Sequence, residues 1–252
     1  MLEVHHLTKV FPNGTRALND LSVTIPDGQF VVVIGLSGSG KSTFLRCINR
    51  LVEPTSGTVL LDGEDVTAAG SDRLRQIRSQ IGMIFQQFNL IRRESVLTNV
   101  LTGALGTTGQ AGSLVGRWPK DEVERAMANL ERVGIADKAR QRADTLSGGQ
   151  QQRVAIARTL MQRPRLLLAD EPVASLDPAT SHSVMRYVEQ INKEDGITVI
   201  CNLHFLSLAR RYAQRVLALR GGELVGDLDP HAIDEARFRE IYGEDAVEVE
   251  VR

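Results

Sequence analysis

The chain has 252 residues, 42% of them hydrophobic and 24% charged; this is the balance of a folded globular protein with a sizeable core, and it excludes a disordered or fibrous chain. A formal net charge of -1 argues against broad electrostatic capture of nucleic acid. No apolar run approaches the ~18–20 residues that cross a bilayer, and Met1-Leu2-Glu3-Val4-His5-His6 lacks the regions of a secretory signal, so no leader is expected and a role at a membrane would need a partner.

Up to about Ser56, short apolar strands alternate with turns at Asn13-Gly14, Pro26-Asp27-Gly28 and Pro54-Thr55-Ser56-Gly57. The apolar run Phe30-Val31-Val32-Val33-Ile34 leads into Gly35-Leu36-Ser37-Gly38-Ser39-Gly40-Lys41-Ser42, and residues 43–48 read as a helix. This octet fits GxxxxGK[ST] in its required strand–loop–helix setting. Its glycines let successive N–H groups and the helix N-terminus point at one anion. Lys41 would reach the β- and γ-phosphates, and the Ser42 hydroxyl would ligate Mg²⁺. A nucleoside triphosphate is therefore the expected ligand, with Gly35, Ser37, Gly38, Ser39, Gly40, Lys41, Ser42 and Thr43 as its contacts.

Residues 58–61 add a strand, and Ile81-Gly82-Met83-Ile84-Phe85 reads as a core strand ending at Gln86-Gln87. From about Phe88 to Arg158 the strands stop. Residues 103–116, rich in Gly, Thr and Ser, read as a loop, and Val123, Met127, Leu130 and Val133 have helical spacing. Leu146-Ser147-Gly148-Gly149-Gln150 is a second glycine-rich site at the start of a helix whose apolar positions 154, 156, 157 and 160 suggest packing on one side. Cys47 and Cys201 fall on separate core elements and read as small buried hydrophobes.

Residues 165–170 form another apolar strand, ending in Asp170-Glu171, and residues 197–203 form one more, followed by His204. Strands alternating with helices imply a mostly parallel sheet with a helical insertion. Ligands gather at the C-terminal ends of such strands, so Asp170 and Glu171 can share the phosphate loop's site. Asp170 would hold Mg²⁺ through water, while Glu171 would orient or deprotonate an attacking water. Two phosphate-binding elements, with one triphosphate site per chain, suggest that each faces a partner's nucleotide.

Together these residues resemble the ATP-binding-cassette family over nearly the whole chain. Residues 35–42 look like its Walker A motif, residues 146–150 like its signature, and residues 165–171 like its Walker B. Gln86 matches the Q-loop glutamine, Ser175-Leu176-Asp177 the D-loop, His204 the switch histidine, and Phe11 the aromatic that stacks on adenine.

The resemblance implies an α/β fold: a P-loop NTPase (RecA-like) core with a mostly parallel sheet, an N-terminal antiparallel β subdomain and an inserted α-helical subdomain. The corresponding division is core at 1–87, helical signature subdomain at 88–158, and core again at 159–252. Two copies of the chain would sandwich two ATP molecules, each between one copy's Walker A and the other's Ser147, Gly148, Gly149 and Gln150, with Asp177 nearby. Gln86 would sense Mg²⁺ and the γ-phosphate, and His204 would help position Glu171.

The segments 86–90, 99–103, 113–120, 171–178, 202–204, 208–210 and 238–243 resemble ATP-binding subunits of phosphonate importers. Departures from that pattern are Phe205-Leu206-Ser207, where a Gln-Val-Asp-like stretch is expected, and Gly226-Asp227-Leu228-Asp229, which has lost the usual aromatic. The resemblance implies peripheral attachment to the cytoplasmic face of a bacterial inner membrane through integral permease subunits, which a permease helix would reach near residues 89–100. An extracytoplasmic solute-binding protein would act through the permease, and nucleic acid would take no part. Trp118 would pack, since the solute never enters this subunit. Importers of phosphite, phosphate or polar amino acids are the alternatives, then a soluble non-transport cassette ATPase; a P-loop kinase needs neither the signature nor the histidine.

Overall fold

Alternate side chains along the buried strands face two different cores, and this alternation organises the molecule. The computed structural model describes residues 1–106 and 118–243. In β3 (Phe30–Ile34), Val31 and Val33 pack with α1 (Lys41–Ile48) and the N-terminal strands, while Phe30, Val32 and Ile34 pack with the later helices. Strands β7 (Leu166–Asp170) and β8 (Thr198–Asn202) divide in the same way, and both are buried from end to end. A strand covered on both faces reads as a continuous apolar run, as these do.

The main sheet has six strands in the order β10-β9-β3-β8-β7-β6, completed by β6 (Ile81–Ile84), β9 (Arg215–Arg220) and β10 (Glu223–Leu228). The pairings β9–β3–β8–β7–β6 are parallel, and only β10 runs antiparallel at one edge. A separate antiparallel sheet, β2-β1-β4-β5, is built from β1 (Leu2–Val10), β2 (Arg16–Ile25), β4 (Ser56–Leu61) and β5 (Glu64–Asp65). It covers α1 from the side opposite the main sheet, as expected for an antiparallel β subdomain beside a parallel P-loop core.

Between β5 and β6 lies α2 (Ser71–Ser79). Between β6 and β7 the described residues form only helices: α3 (Val96–Leu101), a 3₁₀ turn at Thr102–Gly106, α4 (Lys120–Arg132), short 3₁₀ turns, and α5 (Gly148–Leu160). α6 (Pro178–Asp195) joins β7 to β8, α7 (Leu206–Tyr212) follows β8, and α8 (Glu235–Tyr242) closes the described chain. Trp118 is partly buried against the helical core, in keeping with its expected packing role.

Two local expectations change. The loop expected at 103–116 begins as a 3₁₀ turn, because Gly103 is pressed against α5: a Cβ there would lie 2.0 Å from the Arg158 carbonyl oxygen. The rest of that stretch, 107–116, lies outside the described residues. Helix α5 is buried around most of its circumference, at Gln152, Val154, Ala155, Ile156, Ala157, Thr159 and Leu160. It lies between α3, α4, α6 and β6, so a single apolar stripe could not serve it.

Candidate functional site

The loop between β3 and α1 needs glycine at both ends. Gly35 has φ 141° and Gly40 φ 103°. A Cβ would fall 2.1 Å from the Leu219 carbonyl oxygen at the first and 2.3 Å from that of Ala17 at the second. No side chain caps the start of α1, so its first amides stay available to an anion. The loop borders a cavity of about 330 Å³ lined by Ser37, Gly38, Gly40, Lys41, Ser42 and Thr43, with Thr15, Arg16, Ala17 and Glu171 completing the wall.

Lys41 is 4% exposed, and its Nζ donates to the carbonyls of Gly35 (2.7 Å) and Leu36 (2.9 Å). Burial holds its pKa below the ordinary lysine value, against the opposing pull of Glu171 and Asp170. Ser39 is also buried, and its Oγ has no hydrogen-bond partner.

Asp170 closes β7 and is 2% exposed. Three donors hold its carboxylate: Ser42 Oγ at 2.7 Å and Asn202 Nδ2 at 3.0 Å from Oδ1, and an Arg46 guanidinium nitrogen at 2.9 Å from Oδ2. The next residue, Glu171, has φ 53°, a left-handed conformation uncommon outside glycine. That turn swings its carboxylate toward β8, where Glu171 Oε1 lies 2.7 Å from His204 Nε2. The phosphate loop, Asp170, Glu171 and His204 therefore meet at one end of the sheet, as their positions after parallel strands predict.

The other expected residues stand apart from this cavity. Gln86 is exposed, two residues beyond β6, and Phe11 is partly exposed with the Lys9 ammonium 5.1 Å from its ring centroid. Neither lines the cavity. Ser147 caps α5 in a reciprocal box, its Oγ accepting from the Gln150 amide and its own amide donating to Gln150 Oε1 at 3.0 Å. Gly148 and Gly149 lie against Leu176 and Thr180, next to Asp177, whose carboxylate caps α6. The Thr180 hydrogen bonds hold the Asp177 pKa below the ordinary carboxylate value. Signature and D-loop thus form one surface, separate from the phosphate loop of the same chain.

Four contributors were missed from sequence. Arg16 and its neighbours had a signal in the Asn13-Gly14 hairpin turn, which returns the chain past the loop. Arg46 lies on α1, one turn beyond Ser42. Asn202 is a polar residue ending an apolar strand, and Arg158 reaches from α5 to the carbonyls of Phe88 and Asn89. The cysteines are both buried and unpaired; burial pushes the Cys47 thiol up to about 12 and raises that of Cys201 further.

A Ser42 hydroxyl beside a buried carboxylate fits Mg²⁺, a cation that takes few protein oxygens and completes its shell with water and phosphate. Among the described residues no group of three or more His, Cys, Asp or Glu could hold a metal ion by itself.

Residues 18–174 match the model of the family described as "ABC transporter". The chain is 56% identical over 250 residues to the phosphonates import ATP-binding protein PhnC of Bdellovibrio bacteriovorus, covering 99% of this chain and 96% of that protein. Against PhnC 3 of Halalkalibacterium halodurans the identity is 54%, covering 96% and 94% of the two chains. Among solved structures, the dimeric bacterial ABC transporter cassette MJ0796 superposes with a TM-score of 0.81 at 35% identity, covering 91% of this chain and 99% of that one. The same cassette is also known as a dimer in a post-hydrolysis state bound to ADP and Pi, with an equal TM-score of 0.81.

Proposed function

This chain belongs to the ABC transporter family, and from that premise we propose that it is the ATP-binding and ATP-hydrolysing subunit of an importer, powering uptake of phosphonates through a membrane permease. The observation that carries the hydrolytic reading is the convergence of the phosphate loop, Asp170, Glu171 and His204 at one sheet end. Identity of 51–56% to phosphonate import proteins over nearly the whole chain supports the solute class.

In this reading the loop amides and Lys41 hold the β- and γ-phosphates, exchanging loop carbonyls for phosphate oxygens at the ammonium. Ser42 would hold the Mg²⁺, with Asp170 and Gln86 accepting from its water shell. When bound, the cation would supply positive charge beside the phosphoryl oxygens. Glu171 orients the attacking water and takes its proton, and His204 fixes the Glu171 carboxylate. Arg16 lines the cavity and offers a surface for the base, and Phe11, outside the cavity wall on the same hairpin, would stack on it from the rim.

The signature surface supports a dimer. Ser147–Gln150 lies away from its own phosphate loop, so a second copy supplies the loop that closes each nucleotide. The division into core at 1–87 and 159–252 and helical part at 88–158 serves that arrangement, placing the two phosphate-binding elements on different bodies.

A second cavity, of about 410 Å³, lies between those bodies, with Leu51, Phe85, Asn89 and Gly103 in its wall. Arg78 and Arg158 line it too, with no acidic residue among its described lining. Leu51, Ile91 and Leu105 are exposed nearby. A cytoplasmic helix of the permease would fill this groove, holding the chain at the inner membrane face. Among the described residues no helix is long and apolar enough to cross a membrane.

Reconstitution with the permease and an extracytoplasmic solute-binding protein tests the reading. Phosphonates are expected to stimulate ATP turnover. Stimulation by phosphite, phosphate or glutamine instead would reassign the solute, and a response to none of them would sink the importer.

A further inference from the structure

Every residue of β8 is buried, and four of its five side chains are apolar or small; Asn202, at the last position, is fully buried and carries a carbamoyl group. It is the direct cross-strand neighbour of Asp170 in the parallel β7–β8 register. Its Nδ2 donates to Asp170 Oδ1 at 3.0 Å, the same oxygen that accepts from Ser42 at 2.7 Å. The acceptor is a carboxylate, so the amide orientation is assigned by chemistry: only the NH₂ end can donate to it. The other end, Oδ1, is buried with no hydrogen-bond partner.

That unpaired oxygen carries the argument. A buried acceptor left unmade costs stability, whereas an apolar side chain at this strand position would pack without that penalty. The residue accepts the penalty and returns one hydrogen bond, to the carboxylate beside the loop serine. The other two donors to Asp170 lie on α1 and differ in kind: Ser42 would be drawn onto a cation, and the Arg46 side chain is 46% exposed. Asn202 alone grips Asp170 from within the sheet.

We propose that Asn202 is a positioning residue for the divalent cation, clamping Asp170 across the β7–β8 register so that the carboxylate keeps its orientation when Ser42 turns to the metal. The inference rests on the ATP-site reading given above. It also makes the residue two places before the histidine part of the metal site, acting through Asp170 with no contact to nucleotide.

The test titrates Mn²⁺, in place of Mg²⁺, into the full chain saturated with a non-hydrolysable ATP analogue, with free Mn²⁺ read by electron paramagnetic resonance. Asn202→Leu keeps the volume and removes the donor. Its Mn²⁺ dissociation constant is expected to rise about tenfold, the loss of one hydrogen bond to a charged group. Analogue affinity in excess chelator and the urea midpoint of the free protein are expected to stay at their wild-type values. Unchanged Mn²⁺ affinity, or a loss of midpoint in step with the loss of metal, would overturn the proposal in favour of a packing role. Asn202→Ala gives a second reading should the leucine variant misfold. It too lacks the donor, so its Mn²⁺ dissociation constant should also rise about tenfold; wild-type Mn²⁺ affinity overturns the clamp. Failure of the unaltered protein to bind the analogue at all would instead refute the ATP site itself.

Discussion

His204 Nε2 lies 2.7 Å from Glu171 Oε1, joining a residue two places beyond β8 to the residue directly after β7 across the sheet end that holds the phosphate loop. The contact forms because Glu171 adopts φ 53°, which turns its side chain sideways instead of letting it follow the strand. Glu171→Gln keeps the shape and a hydrogen bond to His204 but removes the base. Turnover should fall by at least about 100-fold, the ordinary contribution of a general base, while ATP still binds and the protein accumulates as a dimer. Steady-state ATPase and light scattering check both; a monomer with unaltered turnover removes Glu171 from the mechanism.

Lys41 makes a prediction in affinity and another in pH. Lys41→Ala should weaken ATP binding by roughly 10- to 100-fold, the loss of charge-assisted hydrogen bonds to phosphate, measurable by calorimetry. Burial holds the free protein's Lys41 pKa below 10.5, so just beneath that value the folded state binds fewer protons than the unfolded. Stability from this group therefore rises with pH across the window and is lost as pH falls through the folded pKa. Phosphate favours the charged ammonium, so nucleotide binding should take up protons in the same window. Titrations in buffers of different ionisation heat read that uptake, and Lys41→Ala should abolish it.

Much of the architecture was legible because its signals are local. Short, largely apolar runs at 30–34, 166–169 and 197–201 specify strands buried on both faces, and the glycine spacing of residues 35–42 is a backbone requirement seen at Gly35 and Gly40. Ser42 was legible as a neighbour of Asp170, since both were expected at one Mg²⁺, but Arg46 and Asn202 were not. They stand 124 and 32 positions from Asp170, and only the packing of α1 and the β7–β8 register bring them to its carboxylate. The same holds for Arg16, which reaches the cavity through a hairpin whose turn was visible but whose path was not.

The signature loop's separation from its own phosphate loop predicts action between copies. Ser147→Arg places a bulky cation on the surface a partner must approach, so hydrolysis should fall by about tenfold or more while monomeric ATP affinity stays within about twofold. Loss of monomer binding would argue against completion of the site by a second copy. Gel filtration of the Glu171→Gln, Ser147→Arg double variant should show monomer where Glu171→Gln alone gives dimer.

Gly103 predicts a stability effect. A methyl group there meets the Arg158 carbonyl oxygen at 2.0 Å, a backbone atom that cannot swing away. Gly103→Ala must therefore push the 3₁₀ turn off α5, at a cost of about 1–3 kcal/mol. For a chain of this size each kcal/mol lowers Tm by about 2–4 °C. An unchanged melting curve would show that the two elements separate freely.

Arg158 connects the signature helix to the segment after Gln86. Its guanidinium donates to the carbonyls of Asn89 at 2.6 Å and Phe88 at 2.9 Å, and burial alone lowers its pKa. A half-buried cation held by carbonyls fixes their positions strongly, because each bond is charge-assisted. It also lines the groove assigned to the permease. Arg158→Met should free the turn at residues 88–89, speeding amide exchange there by about tenfold, the effect of losing one such hydrogen bond. ATP affinity should hold, since Arg158 lies outside the nucleotide cavity. In the reconstituted system the variant should hydrolyse ATP but lose stimulation by solute; full stimulation would show that docking reaches the nucleotide by another route.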